Sequence, residues 1–274
     1  MAKAFSIASW NVEHFKNGAA ARVDRIVDFL KTQKPDVFAI YEVEGKEVFS
    51  SLVAKMAGYQ SHITEGPQTQ EILVGVKSGL TAFFTQKLTF KSGNTYLRPG
   101  ALLTVTVSGK NYSMLFLHTK SSNAPVGLGL RDDMFRRAFE FRKTLDKASA
   151  AAGAGGKANF IFMGDLNTMG MKYPFQKKID APVELQKLDA DAAKVKMRRL
   201  AKSCPATWSN GSQSSLKPSD LDHVVAADHL KFKKFTGAEV DCRGWTSLAT
   251  TPEQDKWIKD FSDHALLYME LQKV

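Results

Sequence analysis

The chain has 274 residues, 43% of them hydrophobic and 24% charged, a length and apolar content that support a folded core and exclude a disordered chain. No 18 consecutive residues are apolar, which excludes a helical membrane span at the level of sequence. Thirty-eight Lys plus Arg against 28 Asp plus Glu give a formal charge of +10, a balance that favours a polyanionic partner, either nucleic acid or an anionic membrane surface.

The first expected element is a strand, FSIASWN over 5–11. It starts so near the N-terminus that no room remains for the charged and apolar regions of a signal peptide, and a cytoplasmic protein is expected, with a secreted protein trimmed of its leader as the alternative. Val23, Ile26, Val27 and Leu30 fall on one helical face, which Lys34 and Pro35 close. DVFAIYEV (36–43), EILVGVK (71–77), ALLTVTV (101–107) and YSMLFLHT (112–119) read as strands from β-branched and aromatic content. A second helix is expected over 131–148, with Met134, Ala138, Phe141 and Leu145 on one stripe, and the Ala/Gly-rich stretch 148–158 as a flexible surface connection. NFIFMGD (159–165), HVVAAD (223–228) and HALLYMEL (264–271) complete the strands.

Between them, residues 172–202 hold nine Lys or Arg against four acids, and Lys231, Lys233 and Lys234 form a second basic group. A polyanion-binding patch and a solvated helix face account for both equally well. Cys204 and Cys242 make neither a disulfide framework nor a zinc site; two free thiols are expected, with a single bond between them as the alternative. With no internal repeat, and strands and helices through both halves, the pattern predicts one α/β domain over 1–274, stacked sheets covered by helices.

Polar residues recur where these strands end or begin. Asn11 closes the first, Glu42 the second and His118 the fifth; Asp165 and Asn167 close FIFMGDLNT; Asp222 opens the seventh; Asp263 and His264 immediately precede the last. A turn explains GDLN by itself, since Gly takes positive φ and Asx side chains bond to their own backbone. Strand carboxyl ends are also where open α/β sheets bind ligands. The repetition of amide, carboxylate and imidazole at the ends of otherwise apolar strands favours a site.

The motif order WN, E, H, GDxN, LDH and SDH resembles the endonuclease/exonuclease/phosphatase superfamily, from Asn11 to His264. Glu71 in QEILVGV is similar to the acid that supports the first histidine in deoxyribonuclease-like members, and Arg98-Pro99 matches an Arg-Pro pair in position. The resemblance implies a four-layer α/β sandwich, two packed mixed β-sheets flanked by helices, and divalent-metal-dependent cleavage of phosphate esters. YEVEG departs from the Thr-Lys that follows the metal-binding Glu of abasic-site endonucleases, and His118 stands where those enzymes place a tyrosine. The basic signatures of inositol polyphosphate phosphatases are absent from GDLNTMGMKYP. HTKSSN resembles an H-x-K-S variant of some bacterial nucleases, with Lys120 as a phosphate contact.

The chemistry assigns roles. Ester hydrolysis of a phosphate needs a cation on the phosphoryl oxygens, an activated water and a protonated leaving oxygen. Carboxylate and amide oxygens suit Mg²⁺ or Mn²⁺, so Glu42 is the expected metal ligand, helped by Asn11 and Asp263. Asp165 orients or deprotonates water or holds a second metal, and Asn167 donates to a phosphoryl oxygen. His264 is the base or a phosphate contact, its tautomer set by Asp222; His118, backed by Glu71, is the acid or a transition-state donor. His14 and His223 read as structural or surface residues. Arg98 and Lys120 are expected to bind substrate. The leading expectation is a monomeric Mg²⁺-dependent nuclease acting on DNA, and the resemblance implies that it leaves 5′-phosphates. The alternatives are a phosphomonoesterase, a sphingomyelinase-like lipid phosphodiesterase or a non-catalytic DNA-binding protein.

Overall fold

The computed structural model describes residues 2–16, 20–66, 70–94, 97–175 and 177–273. In chain order the elements are β1 (Lys3–Lys16), α1 (Ala20–Gln33), β2 (Val37–Glu44), α2 (Lys46–Lys55), β3 (Tyr59–Ile63), β4 (Glu71–Lys77), β5 (Thr81–Lys87), β6 (Gly100–Val107) and β7 (Lys110–His118). They continue with α3 (Pro125–Ala151), β8 (Asn159–Asp165), α4 (Ala181–Lys194), β9 (Met197–Arg199), β10 (Asp222–Ala227), β11 (Asp241–Arg243), α5 (Thr251–Asp260) and β12 (Leu266–Gln272). Among the described residues, two six-stranded mixed sheets and five flanking α-helices are the elements of the expected four-layer α/β sandwich. The chain divides into two compact units, one of Met1–Leu80, Ala201–Asp220 and Lys231–Val274, the other of Thr81–Leu200 and Leu221–Leu230.

The first unit holds the sheet β11-β12-β1-β2-β4-β3. β1 runs parallel to β2, while β12 and β4 run antiparallel to them. Val37 through Tyr41 of β2 are all buried, the continuous apolarity of a strand covered on both faces. The apolar stripe of α1 is buried as expected, at Val23, Ile26, Val27 and Leu30. α5 was not legible from periodicity, because Trp257 is its one buried residue. It is set instead by a capping box between Thr250 and Glu253 and by Pro252 in its first turn. Trp257 stacks on Phe261 at 5.0 Å and lies 5.9 Å from Trp10. Gly244 is the residue this packing requires, since a Cβ there would stand 2.5 Å from the Trp257 ring.

The second unit holds the sheet β5-β6-β7-β8-β10-β9, antiparallel throughout except for the parallel pair β7 and β8. Its core gathers Leu115, Leu117, Phe160 and Phe162 from the strands with Met134, Ala138 and Phe139 of α3 and Leu188 of α4. Phe139 meets Phe162 edge to face at 5.5 Å. Truncating a fully buried ring such as Phe162 to Ala costs about 3–5 kcal/mol. The expected helix stripe is present: Met134 and Ala138 are buried, and Phe141 and Leu145 pack on the same cluster.

Several boundaries differ from expectation. α3 begins at Pro125, not 131, because proline starts it and Gly127 lets the first turn lie against Ser122, whose carbonyl would be 2.4 Å from a Cβ. The helix also runs on to Ala151, into the stretch expected to be a connection. β9 and β11, three residues each, are too short to carry a period, and β5 is an edge strand that exposes Phe83. The expected free thiols are corrected: Cys204 and Cys242 form a disulfide with Cα atoms 6.0 Å apart, the ordinary spacing for such a bond. Tertiary pairing brings them together, through a parallel bridge between Lys202 and Val240 and the bond from Cys242 N–H to Ser203 Oγ at 2.8 Å.

Candidate active site

Register alone gathers the polar residues of the first unit at one end of its sheet. Asn11 does not close β1 as expected: it pairs with Tyr41 just before a register shift, beyond which β1 and β2 pair again to Lys16 and Glu44, and Glu42 lies beside it within that irregular stretch. β4, antiparallel, starts at that end with Glu71 opposite Val43, and β12 starts there immediately after Asp263 and His264. Asn11, Glu42, Glu71, Asp263 and His264 therefore share a sheet end although 253 positions separate the first from the last.

Glu42 is aimed by an irregular backbone. Its φ is 64°, and the β2–β4 register shifts between Ile40 and Val43. A bulge of this kind re-aims a side chain, and a positive φ on glutamate persists only where surrounding bonds enforce it. Those bonds are visible: Asn11 Nδ2 donates to Glu42 Oε1 at 3.0 Å, and His14 N–H donates to Oε2 at 2.9 Å. Glu13 and His14 also have positive φ, 45° and 47°, so β1 carries its own irregularity beside Asn11. Glu13 N–H closes the turn onto Asn11 Oδ1 at 2.9 Å.

The segment before β12 is pinned from several sides. Trp10 Nε1 donates to the His264 carbonyl at 2.9 Å, and His264 N–H to Ser262 Oγ at 3.0 Å. Ser262 Oγ in turn donates to the Asn11 carbonyl at 2.8 Å. Trp208 Nε1 donates to Asp263 Oδ2 at 2.6 Å, and His264 Nε2 lies 3.9 Å from Asp263 Oδ1. Glu71 accepts from Thr64 Oγ1 at 2.5 Å.

The second unit aligns a row across three neighbouring strands. Asp165 pairs in register with His118 on β7 and with Asp222 on β10, so all three side chains leave one face of the sheet at its end. His118 Nε2 is 3.4 Å from Asp165 Oδ2, and carboxylate oxygens of Asp165 and Asp222 lie within 4.8 Å of each other. All three residues are buried. Two carboxylates so close and so little solvated repel, and a cation or an imidazolium beside them relieves the repulsion. Asn167 N–H donates to Asp165 Oδ1 at 3.1 Å, the Asx turn expected of GDLN. The turn also presents the amide: with φ at 47°, Asn167 gives one hydrogen to the Thr119 carbonyl at 3.3 Å and keeps a second.

Arg131 on α3 holds the loops that follow this row. Fully buried, it pairs with Glu184 through Nε at 2.6 Å and Nη2 at 2.9 Å. It also donates to the carbonyls of Lys120, Ser122 and Gly170, at 3.1, 2.6 and 2.9 Å. The loop after His118 and the loop after Asn167 thus share one guanidinium. Lys120 and Arg98 are half-buried. His223 is buried with Nε2 2.7 Å from Thr168 Oγ1, and His14 is 55% exposed beside Glu44 at 2.9 Å.

Three residues of these surroundings escaped the sequence. Glu13, half-buried, accepts a bond from the backbone of Asp263; burial first, then the Asp263 charge, pushes its pKa up. An acid two positions after Asn11 in WNVEHF is the signal that marks it. Trp208 and Arg131 carry no local signal, since their partners are distant in sequence. In the basic stretch 172–202, Lys178, Lys187, Lys194 and Arg199 are ion-paired with Asp180, Asp132, Asp191 and Asp189, and Lys202 pairs with Asp220. Much of that charge is therefore neutralised locally. No helix among the described residues is long and apolar enough to cross a membrane.

Residues 8–264 match the model of the Endonuclease/Exonuclease/phosphatase family. Among curated proteins none matches the chain in sequence. Similar solved structures include truncated TDP2 of Caenorhabditis elegans, with TM-score 0.64 and 16% identity over 98% of this chain and 97% of that one. TDP2 of D. rerio complexed with single strand DNA product gives 0.65 and 16% over 98% and 99%. A mannosyl-6-phosphatase of Bacteroides thetaiotaomicron gives 0.60 and 15% over 98% and 100%. At these identities the likeness is one of fold.

Proposed function

The chain belongs to the endonuclease/exonuclease/phosphatase family, whose members are metal-dependent phosphoric ester hydrolases, and from that premise we propose that it is a phosphodiesterase cutting nucleic acid, DNA first, to leave 5′-phosphates. The observation that carries the proposal is the placement of acids, amides and imidazoles in register at one end of each sheet, within a family match that runs through both sets.

The donor atoms suit a hard divalent cation: carboxylate and amide oxygens at Glu42, Asn11 and Asp263, with no thiolate among them. Mg²⁺ or Mn²⁺ held there would neutralise phosphoryl oxygens and acidify water. Asp165 orients the attacking water or accepts its proton. Asn167 directs its second amide hydrogen at a phosphoryl oxygen. His264 serves as base or phosphate contact, and His118 donates toward the leaving oxygen. Arg98 and Lys120 bind flanking phosphates.

A phosphomonoesterase is the second reading, favoured by the local pairing of the basic stretch, which leaves less free charge for a polyanion. A substrate panel decides between them: single-stranded and duplex DNA, RNA, abasic duplex, a sugar phosphate, inositol phosphate and sphingomyelin, each with EDTA, Mg²⁺ and Mn²⁺. Metal-dependent cleavage of DNA is expected, with His264→Ala lowering kcat by roughly 10²–10⁴. Turnover of the sugar phosphate with every nucleic acid left intact would replace the nuclease by the monoesterase.

A further inference from the structure

We propose that Tyr173 and Phe175 form a stacking platform for the unpaired bases of a single-stranded nucleic acid, an inference that rests on the nuclease reading. The two rings stand on the loop 171–179, which begins four residues after Asn167. Its base is fixed. Met171 and Ile179 exchange backbone bonds at 2.7 and 2.9 Å, and Lys172 N–H donates to the Asn123 carbonyl at 2.8 Å. Gly170, with φ at 71°, is packed so closely that a Cβ would meet the Ile179 carbonyl at 2.2 Å. Above this closed base the rings are open: Phe175 is 82% exposed and Tyr173 38%. They meet edge to face, centroids 5.7 Å apart and planes at 77°, so the pair offers ring faces in two directions. Lys172, Lys177 and Lys178 flank them in sequence and are exposed; Lys178 is paired with Asp180 at 3.1 Å.

A phenyl ring held in water is a cost that the free protein does not recover. Two partners combine apolar surface with negative charge. A bilayer is the weaker fit, because even a whole myristoyl chain gives marginal membrane binding and two small rings bury less. A base with its face uncovered fits better, since stacking on one aromatic residue changes affinity by about tenfold and tolerates any base. Bases inside a duplex have their faces covered by neighbours, so the platform selects single strands and frayed ends. The flanking lysines meet the phosphates on either side.

The test is anisotropy of a labelled oligothymidylate of about 12 nucleotides, within the footprint of single-strand binding folds, in EDTA at fixed salt. An abasic oligomer of equal length and charge is the comparison. Phe175→Ala is expected to weaken oligothymidylate binding about tenfold and Tyr173→Ala/Phe175→Ala by more, both leaving the abasic oligomer's affinity nearly unmoved, whereas Phe175→Trp, which keeps a ring, should bind like the wild type. Equal affinity of variant and wild type for oligothymidylate would overturn the platform, as would equal losses on both oligomers. Binding of wild type to vesicles of phosphatidylcholine and phosphatidylglycerol, lost in the double variant, would overturn it in favour of a membrane. Cleavage of single-stranded DNA with Mg²⁺ or Mn²⁺ is measured alongside. A wild type that neither binds nor cuts it removes platform and nuclease together, whereas one that cuts it while the variants bind normally removes the platform alone.

Discussion

Glu42 shows how a single residue can be read in two ways that turn out compatible. As a residue near the end of β2 it needs only to carry the strand on to Glu44, and many residues would do that without a φ of 64°. Such a conformation costs on the order of 1–3 kcal/mol on a non-glycine residue and points to a task for the side chain. Asn11 and the His14 N–H hold both carboxylate oxygens, so the direction of the side chain is set before any substrate arrives. Glu42→Gln keeps the shape and removes the charge. The divalent cation needed for half-maximal activity is therefore expected to rise by at least about tenfold, the scale on which even outer partners of a metal act. DNA affinity in EDTA should barely change. Metal titrations of activity and of binding check the two halves; an unchanged metal requirement would take Glu42 out of its proposed role.

At the scale of elements, Arg131 joins α3 to α4 and to the loops behind β7 and β8. A buried guanidinium deprived of its carboxylate is far costlier than an apolar pair in the same space. Glu184→Ala should accordingly destabilise the protein by about 3–5 kcal/mol, whereas Arg131→Met with Glu184→Leu should recover much of that stability. Activity should not return with it, because the carbonyls of Lys120, Ser122 and Gly170 lose their common donor. Denaturant unfolding beside kcat/KM separates these effects, and full activity in the stable double variant would show that the loops hold themselves. The same scale explains what the sequence disclosed. β2, β4 and β8 were legible because burial on both faces leaves unbroken apolar runs, and their polar ends stood out by contrast. α5, Trp208 and Arg131 were not, because a capping box, a tryptophan N–H and a guanidinium act through partners that only the folded chain supplies.

For the molecule as a whole, net charge and covalent closure matter more than any one contact. A formal charge of +10 is spread among many local ion pairs, so it raises attraction for polyanions without defining a groove. The Cys204–Cys242 bond lies within one unit and spans 38 positions of chain. It joins the segment after β9 to β11, an edge strand of three residues whose ladder with β12 is too short to hold firmly alone. Closing a loop of that length restricts the unfolded chain by about 4 kcal/mol in the entropic account, and natural disulfides commonly deliver 2–4. Cys204→Ser/Cys242→Ser and the reduced wild type should both melt lower, by roughly 5–15 °C at 2–4 °C per kcal/mol for a chain of this size. Reductant should have no further effect on the double variant. If reductant leaves the wild-type midpoint in place, the edge strand is held by its backbone bonds and the bond adds nothing to stability.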